Sequence, residues 1–142
     1  MPIEEKQDPM TSKILFDDFV PGSLMGQHEE VFDASLRQAW RAIFSLPDNA
    51  EPHPGELSSL ALALAMRAYL SVVSPRPPGN VHARQQFQMH AMPHIGETIT
   101  TRVVCAHKEI RRERRYVNIQ VQASGQGQRA LYSGEMSLIW AA

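Results

Sequence analysis

Residues 55–73, GELSSLALALAMRAYLSVV, constrain this chain more than any other stretch. They read as one helix of about five turns. Leu57, Leu60, Ala61, Leu62, Ala63, Leu64, Ala65, Met66, Ala68, Leu70, Val72 and Val73 put apolar groups on every face. A helix of that kind has to be surrounded on most of its sides. Glu56 and Arg67 bracket the purely apolar run, which is too brief to cross a bilayer. Almost everything after it reads as strand. One buried helix beside a long antiparallel sheet implies a sheet that curls around the helix.

The strand signals are clear. Residues 81–91 place Phe87, Met89 and Ala91 on one face. Met92-Pro93-His94-Ile95-Gly96 is a turn, and residues 97–109 alternate through Ile99, Thr101, Val103 and Cys105. IRRERR at 110–115 makes a charged hairpin end. Residues 116–123 set Val117, Ile119, Val121 and Ala123 inward against Asn118, Gln120 and Gln122 outward. Ser124-Gly125-Gln126-Gly127 is a turn, and residues 129–141 close the sheet with Tyr132, Met136, Leu138 and Trp140 facing in. Gly134 marks a bulge in that strand.

Ahead of the long helix, residues 1–13 form a loose polar tail and residues 14–142 the single domain. A first strand is expected at 27–33 and an amphipathic helix at 34–46. Ser35 with Gln38 has the form of a capping box. Leu36, Ala39, Trp40, Ile43 and Phe44 make the apolar stripe of that helix. PDNAEPHP at 47–54 is a constrained loop, and Pro54-Gly55 suits a helix entrance. Arg67 and Tyr69 belong at a helix edge or a dimer contact. The class is α+β, with helices on one face of an antiparallel sheet. Its exposed edge strands favour pairing in a dimer.

Composition narrows the function. A net charge of −1 argues against general nucleic-acid binding. The one cysteine, Cys105, allows no internal disulfide, which fits a reducing cytoplasm. No signal segment or membrane span is visible.

The layout resembles the hotdog fold, and within it the MaoC-like dehydratases and (R)-specific enoyl-CoA hydratases. The resemblance covers roughly residues 14–141. Phe16-Asp17-Asp18-Phe19-Val20-Pro21-Gly22 is similar to the family's opening F-x-D-F-x-P/V-G. Asp48 and His53 keep the Asp-to-His spacing of the family's active-site loop, Gly-Asp-x-Asn-Pro-x-His. Gly96-Glu97-Thr98-Ile99 and Ser137-Leu138-Ile139-Trp140-Ala141 are similar to its C-terminal half. There are departures. Pro47 stands where the family has Gly, and Asn49 and Pro52 are displaced. The segment that separates the catalytic His from a second His at the helix entrance is missing. His53 therefore corresponds either to the catalytic His or to the helix-entry one.

The resemblance implies hydration of a 2-enoyl thioester or dehydration of a 3-hydroxyacyl thioester, without metal or redox cofactor. That chemistry needs a base on water and a donor for the enolate oxygen. Asp48 and His53 are the candidates to hold the water, since His titrates near neutrality. The backbone N–H of Gly55 or Glu56, at the positive end of the helix, is the candidate oxyanion donor. The competing reading makes Asp48 a turn residue and His53 a helix-entry residue. Ser58 and Ser59 either face the acyl pocket or allow close packing. Arg112 and Arg115, with Arg111 and Arg114, either meet the phosphates of coenzyme A or form a solvated turn. His82, His90 and His94 match no metal-ligand spacing.

Two rivals remain. Some hotdog thioesterases are similar around His53-Pro54-Gly55, but where they carry an acid this chain has Leu62 or Ala63; Glu56 is a candidate base in that reading. The other rival is a non-catalytic acyl-binding or partner subunit. The implied partners are an acyl thioester and a second copy of the chain, or a higher homo-oligomer, with no nucleic acid and no membrane.

Overall fold

A computed structural model describes residues 12–47, 49, 51 and 54–142. Asp48 and His53 lie outside the described residues, as does most of the N-terminal tail. The elements run β1 (Leu24–Val31), α1 (Ala34–Ile43), α2 (Pro54–Val72), β2 (Val81–Met89), β3 (Thr98–Arg111), β4 (Arg114–Ser124) and β5 (Ala130–Trp140). The strands form one sheet in the order β1-β3-β4-β5-β2, and every pair is antiparallel.

Period-two alternation builds the inner face. Ile99, Thr101, Val103 and Cys105 of β3, Val117, Ile119, Val121 and Ala123 of β4, and Tyr132, Met136, Leu138 and Trp140 of β5 are all buried. They pack on α2 through Leu60, Ala61, Leu64, Ala65 and Tyr69. The helix is enclosed on one flank only. Leu62, Ala63 and Met66 are half-buried, and Leu70 is exposed. The full enclosure expected from its composition is therefore not reached within one chain. Tyr69, expected at an edge, is buried, with the Arg76 guanidinium over its ring. Arg67 does emerge, and pairs with Glu30 at 3.3 Å.

Several local expectations shift for visible reasons. β1 starts at Leu24, not Gln27, because the ladder with β3 continues through a bulge beside Gly26. Gly26 faces Val72 of α2, and a Cβ there would sit 3.0 Å from a Val72 methyl. Asp33, rather than Ser35, caps α1: its Oδ1 accepts from the Ser35 N–H at 2.8 Å. The helix stops at Ile43, not Leu46. Ser45 takes φ 55°, and the N–H groups of Ser45 and Leu46 return to the carbonyls of Ala42 and Arg41. That is a Schellman closure made without glycine.

The charged hairpin shrinks to the two-residue turn Arg112-Glu113, both at positive φ, which lengthens β3 and β4 on either side. Gly134 is not at a bulge; the register runs unbroken through Phe87 and Val121 opposite it. The Phe87 ring lies over Gly134, where a Cβ would come within 2.5 Å of it. The N-terminal segment is tied to the far end of the chain. Trp140 Nε1 donates to the Ile14 carbonyl at 2.9 Å, and Phe19 meets the Trp140 ring edge-on at 4.8 Å.

Candidate functional site

The two helices meet at the amino end of α2. Arg37 and Arg41 are four residues apart on α1, so they share one face. That face turns to α2 and meets Glu56 in its first turn. Arg41 is 2% exposed and Glu56 1%. Arg41 donates from Nε to Glu56 Oε1 at 3.0 Å and from Nη2 to Oε2 at 3.2 Å, a bidentate pair. Its Nη1 donates to the Pro47 carbonyl at 3.3 Å. Arg37 Nε adds a second bond to Oε1 at 2.8 Å.

These contacts decide what Glu56 can do. The hydrogen bond from Arg41 holds its carboxyl below the usual value, burial opposes this, and Arg37 adds to the lowering. A carboxylate so held is a poor base. Glu56 therefore anchors α1 to α2, and the candidate thioesterase base is a structural acid. α1 also differs from its expected stripe. Leu36 and Trp40 rest on the core, while Ala39, Ile43 and Phe44 are exposed.

Beside this cluster lies a cavity of about 350 Å³. Phe32, Leu57, Met92, Pro93 and Ile95 make its apolar wall, and Arg37 and Glu56 its polar corner. The wall comes from three places in the chain. Phe32 is drawn in by its backbone, which exchanges hydrogen bonds with Gly96 and Glu97 at 2.7 and 2.8 Å. The 92–97 turn is pinned by buried Glu97, which accepts from the backbone N–H groups of His94 and Gln126 and pairs with Arg129. Gly55 and Glu56 occupy the first turn of α2, at the positive end of the helix dipole.

The other expected site residues scatter. Ser58 is exposed and Ser59 half-buried, and neither forms the wall of this cavity. Arg112 and Arg115 stand at the β3–β4 hairpin. The Thr98 end of β3 is the end near Phe32, so the hairpin is roughly 40 Å away along the strand. Within one chain those arginines do not reach the cavity. His90 Nε2 shares a hydrogen bond with Ser133 Oγ at 3.2 Å, on the opposite edge of the sheet. Among the described residues no group of three or more His, Cys, Asp or Glu side chains could hold a metal ion, and no helix is long and apolar enough to cross a membrane.

Sequence reasoning missed Arg37, Arg41 and the wall of Phe32, Met92, Pro93 and Ile95. One signal was present. Glu56 is the one acid on a largely apolar helix, and a buried carboxylate requires cationic partners.

No family model matches the chain, and no curated protein matches it. Solved structures do. The MaoC-like dehydratase from Rhodospirillum rubrum superposes with a TM-score of 0.71 at 11% identity, covering 91% of this chain and 98% of that one. The unliganded (R)-hydratase PhaJ1 from Pseudomonas aeruginosa gives 0.65 at 13%, covering 90% and 86%. The C-terminally truncated HadBC complex from Mycobacterium tuberculosis, a 3R-hydroxyacyl-ACP dehydratase, gives 0.64 at 12%, covering 84% and 96%. The chain thus has the hotdog fold, in the form shared by MaoC-like dehydratases and (R)-hydratases.

Proposed function

We propose that this chain is an acyl-thioester hydratase/dehydratase that works as a homodimer, without metal or redox cofactor. The observation that carries the reading is the apolar cavity at the amino end of α2, beside the Gly55–Glu56 turn. An acyl chain entering it passes Leu57 and Phe32 and brings its thioester carbonyl to that turn. There the N–H of Gly55 or Glu56 stabilises the enolate oxygen as charge develops. Asp48 and His53, which precede α2 in the sequence, hold the water. One of them takes its proton as hydroxide adds to C3, and a proton returns to C2. The reverse steps dehydrate a 3-hydroxyacyl thioester.

What one chain leaves uncovered supports the dimer. The flank of α2 at Leu62, Ala63, Met66 and Leu70 is incompletely buried, and β2 is a sheet edge with Val81 exposed. A second copy covering both would remove an edge strand that otherwise invites aggregation.

The test is a four-carbon 2-enoyl-CoA followed by two readouts at once. Hydration consumes the enoyl absorbance and releases no thiol. Thiol release would replace the reading with a thioesterase. Loss of neither signal, with the ligand still bound, would replace it with a non-catalytic acyl-binding subunit.

A further inference from the structure

The cavity beside α2 is greasy on every side but one. Its polar corner is not closed off equally. Glu56 is saturated, with both oxygens accepting from guanidinium groups. Arg37 is not. Its Nε is spent on Glu56, but neither Nη makes a hydrogen bond to a described residue. A guanidinium carries five N–H donors, so four remain for solvent or a ligand. The side chain is 29% exposed, so those donors are already partly stripped of water. Its one carboxylate partner among the described residues is shared with Arg41. A half-desolvated cation on an apolar wall, with a planar fork of unused donors, is a receptor for an anion, and a carboxylate matches that fork best.

The lining selects the source of the anion. The space beside it is about 350 Å³. A short acyl chain ending in a carboxylate fits. Arg37 is the one cationic side chain among the described residues of the lining, where the several phosphates of coenzyme A would call for more. Resting on the acyl-thioester reading above, we propose that the natural acyl group is that of a short dicarboxylic acid. Its free carboxylate is held by the Nη groups of Arg37, which makes Arg37 the specificity-determining residue.

The experiment is calorimetric titration with two saturated five-carbon ligands, glutaryl-CoA and pentanoyl-CoA. They differ at the distal end, and neither can undergo hydration. The expected result is at least tenfold tighter binding of glutaryl-CoA. In Arg37→Gln glutaryl-CoA loses more affinity than pentanoyl-CoA, and the preference disappears. Arg37→Lys, which keeps the charge, retains part of the preference and decides the matter if the Gln variant does not fold. Equal affinity of the wild type for both ligands overturns the proposal and leaves the hydratase reading standing. A loss of both ligands alike in Arg37→Gln also overturns it, because Arg37 would then serve the cavity or the carrier as a whole and not the distal carboxylate. Binding of neither ligand overturns the acyl-thioester reading as well.

Discussion

Arg41→Met tests the anchor that holds α1 on α2. The change removes a buried guanidinium that gives Glu56 two hydrogen bonds and leaves Glu56 with the single bond from Arg37 Nε. Removing one partner of a buried pair costs about 3–5 kcal/mol, because the remaining charge stays desolvated. Arg37 still holds one oxygen, so the lower figure applies, about 3 kcal/mol. Unfolding entropy near 2.1 cal/mol/K per residue gives about 0.3 kcal/mol/K for a chain of this length, hence a drop in Tm of about 10 °C. Scanning calorimetry at one fixed protein concentration measures it; fixing the concentration matters if the chain dimerises. The double variant, Arg41→Met with Glu56→Met, replaces the pair by apolar volume and should recover most of the loss. The acid limb gives an independent check. The carboxyl of Glu56 is held below its usual 4.5 in the folded state. The stability it contributes is thus present above that pH and is lost as pH falls through the folded value. In Arg41→Met one holding cation is gone, so this acid loss shrinks and the two proteins converge as pH falls through the folded value of the wild type. A Tm drop under about 3 °C at neutral pH, or a double variant as unstable as the single, would refute the argument.

Two further outcomes follow from other parts of the molecule. Asp48→Asn and His53→Ala should each lower hydration of a 2-enoyl-CoA by about 10²–10⁴-fold, the range for a lost general base, with Tm unchanged; unchanged turnover removes both residues from the water-holding role. Gly134→Ala drives a methyl into the Phe87 ring, with Cβ 2.5 Å from its Cδ1. Such overpacking costs about 1–3 kcal/mol. Thermal unfolding should show the loss, and Phe87→Leu in the same chain should relieve it; no relief would mean that the strain lies in the backbone.

The amino-acid order by itself determined the parts of this protein that are repetitive and local. Val117, Ile119, Val121 and Ala123 alternate with polar residues, and that period admits only a strand with one buried face. The run from Leu57 to Val72 is a helix that must lie on apolar surface, and the sheet that follows is the surface available. The tertiary structure decided what depends on groups far apart in sequence. Strand order was one such matter, because any of several pairings buries the same faces. Gly134 was another: the reason for a glycine there is the ring of Phe87, forty-seven residues earlier and one strand across. The candidate site was the third. Arg37 reads as one more charge on a solvated helix until Glu56 is brought to it, and Phe32, Leu57 and Pro93 become a wall only after the 92–97 turn and the first turn of α2 converge. Periodicity reports which face of an element is buried. It carries no information about which buried faces meet, and a binding cavity is made where they meet.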